Sequence, residues 1–219
     1  MSSAADRRQA VLDGIATASR LAARDPSDVR LIAVSKGRSP EEIEELVLAG
    51  QRDFGESRVQ EALAKWPALL ARQDGIRLHG IGRIQSNKSA EAIRLFDVIH
   101  SVDRESLLDA LVKEAEKADH FPAVHVQVNI GEEQQKGGCP IAEVGVLVEA
   151  VRRSPLQLAG LMGIPPLGVE SSPYFALLAK LAKQHGVTGL SVGMSGDYKA
   201  AVMLGATAVR VGTALFEDE

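Results

Sequence analysis

The stretch Leu31-Ile32-Ala33-Val34-Ser35-Lys36-Gly37-Arg38-Ser39-Pro40-Glu41-Glu42 decides the fold. Its first half is an apolar run of the kind that forms a buried strand. Its last four residues are a helix start, with Ser39 as N-cap, Pro40 at the first helical position and Glu42 closing a capping box. The helix then buries Ile43, Leu46 and Val47, and Gly50 ends it. A strand that turns through a short loop into a helix is one βα unit. Lys36 stands at the carboxyl end of that strand, where α/β proteins place their ligands. An amine desolvated there loses its proton and attacks a carbonyl carbon; the bland alternative is an ammonium on a wet rim.

Outward from this unit the pattern repeats. Strands are expected near Asp53–Glu56, Arg77–Gly82, Val98–Val102, Ala123–Asn129, Gln157–Ile164, Gly189–Met194 and Ala208–Gly212. Helical patterns separate them at Arg58–Arg72, Asn87–Leu95, Arg104–Ala118, Ile141–Arg153, Pro173–His185 and Tyr198–Leu204. An opening helix over residues 4–24 carries Val11, Leu12, Ile15 and Ala18 on one stripe. The pattern therefore predicts eight strands, each but the last followed by a helix, with the opening helix free to cover the gap. This is the α/β pattern of a single (β/α)8 TIM-type barrel, with a doubly wound sheet as runner-up. No linker, low-complexity tract or composition shift divides the chain, so one domain is expected over residues 1–219.

Composition narrows the function classes. Hydrophobic residues make up 45% and charged residues 25% of the 219, as in an ordinary globular protein. A net charge of −4 gives no electrostatic case for nucleic acid or an acidic membrane. Cys139 is the only cysteine, which excludes an intrachain disulfide and fits a reducing compartment. No run is long and apolar enough for a membrane span, and the first residues lack the apolar core of a secretory signal, so the cytoplasm is the expected location.

The second informative region is the end of the chain. Met194-Ser195-Gly196-Asp197 closes the seventh strand and opens a helix, and Arg210-Val211-Gly212-Thr213 closes the eighth. In a barrel, the loops after these two strands commonly form a phosphate site. Glycine beside a hydroxyl residue offers backbone N–H groups and an O–H to an anion. Each motif alone is an ordinary tight turn; both together, opposite a strand-end lysine, are a signal. Arg210 alternates with Val209 and Val211, so if the valines pack against helices it points into the barrel and needs acceptors there. His79 and His125 read as hydrogen-bonded core histidines, Gln85-Ser86-Asn87-Lys88 as helix capping, and Asn129 as a residue that could line the mouth. No histidine–carboxylate spacing suits a metal, and no P-loop, G-x-G-x-x-G or G-x-S-x-G is present.

Several segments together carry a resemblance. Ile32-Ala33-Val34-Ser35-Lys36, Asp53-Phe54-Gly55-Glu56 with Val59-Gln60-Glu61, Ile84-Gln85-Ser86-Asn87-Lys88, His100-Ser101-Val102-Asp103, Gln127-Val128-Asn129-Ile130, Gly160-Leu161-Met162, Gly193-Met194-Ser195 and Arg210-Val211-Gly212-Thr213-Ala214-Leu215-Phe216 occur in this order. From Leu31 to Phe216 the chain resembles the pyridoxal phosphate homeostasis proteins, also called the PLP-binding protein or YggS/PROSC family. The resemblance implies a barrel similar to the alanine racemase N-terminal domain, with pyridoxal 5'-phosphate (PLP) as cofactor. It implies that Lys36 forms the covalent aldimine, that Ser195, Gly196, Gly212 and Thr213 bind the phosphate, and that Arg210 faces the pyridine nitrogen. Ser57-Arg58, Gly37 and Glu217 depart from the usual family pattern.

The resemblance also sets a carrier against a catalyst. Racemases of this fold use a lysine on one face of the cofactor and a tyrosine from another domain on the other. The chain runs to residue 219 with no second domain expected, and neither Tyr174 nor Tyr198 fits that role by position. An arginine at the pyridine nitrogen stays protonated and weakens the ring as an electron sink. The expectation is a PLP carrier in cofactor homeostasis with little or no catalysis, monomeric, passing PLP to apo-enzymes. The alternatives are a PLP-dependent amino-acid racemase and a Schiff-base aldolase acting on a sugar phosphate.

Overall fold

The structure, a computed structural model, describes residues 2–217. Eight parallel strands close into one barrel, each paired with the next and β8 paired with β1. The strands are β1 (Arg30–Val34), β2 (Asp53–Glu56), β3 (Arg77–Gly80), β4 (Val98–Val102), β5 (Ala123–Val128), β6 (Gln157–Gly163), β7 (Leu190–Ser191) and β8 (Ala208–Val211). The helices are α1 (Ala4–Leu21), α2 (Pro40–Leu48), α3 (Val59–Leu70), α4 (Ser89–Leu95), α5 (Glu105–Ala118), α6 (Val144–Arg153), α7 (Ser172–Gln184), α8 (Tyr198–Met203) and α9 (Thr213–Phe216). The barrel expectation holds, and the doubly wound sheet falls.

The capping box that decides the fold is in place. The Ser39 hydroxyl accepts from Glu42 N at 3.3 Å, and the Glu42 carboxylate accepts from Ser39 N at 2.8 Å. Ile43, Leu46 and Val47 are buried as the α2 stripe requires. The main core lies between sheet and helices, where Leu31, Ala33, Phe54, Leu78, Val209 and Val211 meet Trp66, Leu111 and Phe175. Ile32 and Met162 are equally buried but stand apart from that core, as barrel-interior positions do.

Two elements differ from the sequence expectation. β7 is two residues long, not the six of Gly189–Met194. Gly193 takes φ +92°, a left-handed conformation that turns the chain out of the strand, and a Cβ there would lie 2.6 Å from Ala201 Cβ. The last strand also has a helix of its own, the single turn α9, where none was expected. One turn of four residues leaves no apolar period to read. The opening helix does cover this side of the barrel: α1 packs on α2, α8 and α9, and Arg7 Nε donates to Leu215 O at 2.9 Å. Among the described residues no helix is long and apolar enough to cross a membrane.

Candidate functional site

Lys36 lies in the turn after β1 and is exposed. Of the two positions that the sequence leaves open for this side chain, the structure shows the one on the rim. The turn itself is held from below by one face of α3. Lys65 Nζ donates to Ser35 O at 2.7 Å and to Arg38 O at 3.4 Å, which bracket Lys36 and Gly37. Glu61, one helical turn before Lys65, accepts from Gly37 N at 2.5 Å. Burial pushes the Glu61 carboxyl up, but the Gly37 N–H bond and the Lys65 charge outweigh it and hold the group below its ordinary range. Beneath this clamp sits Glu56, fully buried at the end of β2. Its Oε1 lies 2.7 Å from Lys65 Nζ and accepts from Ser35 Oγ and Trp66 Nε1, both at 2.8 Å. Gly37 has φ +70°, which an L side chain rarely adopts, so the glycine that departs from the family pattern suits this turn.

The loops after β7 and β8 meet beside that turn because β8 pairs with β1. A Cβ on Gly212 would lie 3.5 Å from Val34 Cβ, two residues before Lys36. Ser195 Oγ accepts from Gly212 N at 3.3 Å and from Ala214 N at 3.5 Å, tying one loop to the other. Asp197 shapes the first loop by accepting from Met194 N at 2.6 Å and from Ser171 Oγ at 2.8 Å. The backbone N–H groups of Ser195, Gly196 and Thr213 take no partner among the described residues. A Cβ on Gly196 would meet no protein atom within 4 Å, so the space beside it is open. Ser195, Gly196 and Ala214 also border a cleft of about 990 Å³ whose charged lining is mixed, with Arg7 and Lys199 beside Asp6, Glu170, Asp197 and Glu217, and which Lys36, Arg210, Gly212 and Thr213 do not line. Unpaired N–H donors around open space fit a phosphate.

Arg210 points into the barrel, with Val209 and Val211 in the outer core as the alternation requires. Its NH1 donates to Ser191 O and to Ser191 Oγ, both at 2.6 Å, and its NH2 to Gly163 O at 3.1 Å. At least two of its five N–H groups therefore take no partner among the described residues. Burial pulls the guanidinium down to about 10, against a smaller opposing pull from Asp197. It remains a cation at neutral pH.

Not every sequence candidate joins the site. His79 is bonded as expected, but His125 has a buried Nδ1 with no partner among the described residues. Asn129 bonds Glu133 at both ends of its amide and folds its own loop. Gln85 makes no side-chain cap, and Ser86 Oγ instead accepts from Arg104 at 3.2 Å. Arg58 begins α3 without a side-chain cap and lines a cleft with Arg83, Lys88 and Arg104. Glu217 pairs with Arg38, joining the lysine turn to the far side of the cradle. Tyr198 is buried with its hydroxyl against Gly14 of α1, and Tyr174 packs on the outer core. Sequence reading gives no role to Lys65, Glu56, Ser191 or Asp197, although Glu56 and Asp197 stand in segments it singles out and the Glu61–Lys65 spacing puts that pair on one helix face.

A closed parallel barrel with a lysine turn beside an anion cradle defines a class of protein, and residues 9–219 match the family described as alanine racemase, N-terminal domain. A pyridoxal phosphate homeostasis protein of Pseudomonas aeruginosa is 40% identical over 224 residues, covering 99% of this chain and 96% of that one. PipY of Synechococcus elongatus, solved with PLP bound, superposes with a TM-score of 0.80 at 39% identity, over 92% of this chain and 99% of that one. The alanine racemase of Clostridium difficile matches at a TM-score of 0.72 and 15% identity, with 98% of this chain on 57% of that one, a likeness of fold alone. The chain belongs to the pyridoxal phosphate homeostasis protein family.

Proposed function

We propose that this protein binds PLP and serves in PLP homeostasis, holding the cofactor covalently through the Lys36 amine and releasing it to apo-enzymes. PLP supplies a reactive aldehyde that condenses reversibly with a primary amine. The reading rests on one observation above others: three backbone N–H groups with no partner among the described residues, at Ser195, Gly196 and Thr213, lie across the β8–β1 seam from the lysine turn. Ser195, Gly196, Gly212 and Thr213 hold the phosphate, and Arg210 presents its spare N–H groups to the ring nitrogen. The clamp of Lys65 and Glu61 fixes the backbone from which Lys36 reaches. Relatives named for homeostasis and a PLP-bound relative support this reading.

The role is that of a carrier rather than a catalyst. Racemisation needs an acid on the cofactor face opposite the lysine, and both tyrosines of the chain are engaged elsewhere. A cation at the ring nitrogen also weakens the ring as an electron sink. The expected setting is a monomer in the cytoplasm.

The test is capture of PLP followed by borohydride reduction and peptide mapping. The label is expected on Lys36, and Lys36→Ala loses both label and visible absorbance. Stable labelling of Lys65 or Lys136 instead overturns the assignment. Sustained racemisation of alanine or serine at enzymatic rates overturns the carrier role.

A further inference from the structure

Barrel interiors are ordinarily filled by branched aliphatic side chains. Here three strands in a row send a histidine inward: His79 from β3, His100 from β4 and His125 from β5, all buried. Two of them, His79 and His100, lie on a continuous path. Asp53 Oδ1, at the amino-terminal end of the barrel, lies 2.8 Å from Arg30 NH1 and 2.9 Å from His79 Nε2. His79 Nδ1 lies 2.9 Å from His100 Nε2, and His100 Nδ1 lies 2.9 Å from Ser191 Oγ. Ser191 Oγ then accepts from Arg210. His125 stacks on His100 with ring centroids 4.2 Å apart and planes within 11°.

The donors in this path run one way. The Asp53 carboxylate only accepts, so His79 donates through Nε2 and its Nδ1 must accept from His100 Nε2. His100 Nδ1 must then accept the Ser191 proton, which leaves the Ser191 lone pair for Arg210. Charging either histidine breaks this order, because His100 Nδ1 then carries a proton toward Ser191 and the Ser191 hydroxyl proton has no acceptor in the path. The path is thus consistent only when both rings are neutral and both carry the proton on Nε2. Its dipoles end with an acceptor on Arg210, a buried cation that touches two carbonyls and a hydroxyl but no carboxylate among the described residues.

We propose that Asp53, His79, His100 and Ser191 are positioning residues for Arg210: an uncharged, tautomer-locked column that fixes the guanidinium so that its spare N–H groups face the ring of a bound heteroaromatic phosphate. This rests on the PLP reading for the ligand, but the column itself does not. Two experiments separate them. Long-range ¹⁵N–¹H NMR on the ligand-free protein is expected to show His79 and His100 neutral with Nε2 protonated; an Nδ1–H tautomer or an imidazolium in either overturns the column. Ser191→Ala is then loaded with PLP. Borohydride still labels Lys36, while PLP binding falls about tenfold, the scale of one lost hydrogen bond to a charged group, and the absorption maximum of the bound cofactor shifts. Unchanged affinity and spectrum in Ser191→Ala overturn the positioning role. Failure of the wild-type protein to take up PLP overturns the PLP reading and with it the cofactor role of the column, and leaves the NMR result to decide whether the column exists.

Discussion

Glu56 carries more of this site than its place in the sequence suggests. It is fully buried, and Lys65, the cation it meets among the described residues, also holds the carbonyls on either side of the lysine turn. Such a pair is worth little against a well-packed apolar pair, but removing one partner strands the other. Glu56→Gln keeps the volume and an acceptor for Trp66 while leaving the Lys65 ammonium only the longer, more exposed contact with Glu61 at 3.4 Å. The expected loss is about 3 kcal/mol of stability, read by equilibrium urea unfolding. PLP capture by Lys36 should slow in the same variant, since the turn loses its floor. A Glu56→Gln protein with wild-type stability would show that Glu61, 3.4 Å from the Lys65 ammonium, compensates it without Glu56.

At the scale of elements, the site is two loops and a turn brought together by the closure of the barrel. Ser195 joins the loops, and its partners Gly212 and Ala214 lie beyond the next strand. Ser195→Ala is expected to weaken PLP binding about tenfold, near 1.4 kcal/mol, while leaving the melting temperature almost unmoved because the residue is half exposed. Equal losses in affinity and stability would assign Ser195 to folding instead. The same scale explains what was readable. Lys36, Arg210 and the Ser195 and Gly212 turns sit at strand ends, and strand ends follow from local pattern, caps and glycine. The capping box at Ser39 is legible for the same reason. The clamp and the column are not, because their bonds join residues far apart in the chain: Lys65 to Ser35 across 30 positions, His100 to Ser191 across 91. Strand order predicts that such residues share an interior, but not that their atoms meet. Even β7 is shorter than its sequence pattern, since its apolar residues continue past Gly193, where the backbone turns left-handed.

For the whole molecule, a barrel filled with histidine makes folding stability depend on pH. Burial lowers all three rings from their ordinary value of 6.5, His79 against the opposing pull of Asp53, His100 well below it, and His125 to about 3. Neighbouring histidines and Arg210 lower His100 and His125 further. Below pH 6.5 the unfolded chain binds protons that the folded barrel refuses. Each ring therefore contributes stability that is complete above its unfolded value and is lost as pH falls toward its folded one. The loss runs at about 1.4 kcal/mol per pH unit per histidine. Asp53 adds to the acid side, since the pull of His79 and Arg30 outweighs burial and holds its carboxyl below the ordinary 3.8. His125 is the ring to remove, because its Nδ1 has no partner among the described residues and it lies outside the one-way path to Arg210. His125→Phe keeps a flat ring against His100 and takes one titrating group out of the interior. Urea unfolding of the ligand-free protein across this acid range is expected to show the slope reduced by about one proton, with stability at neutral pH held or raised. An unchanged slope would mean that His125 takes up its proton inside the folded barrel as easily as outside it, and that water reaches the column from the mouth.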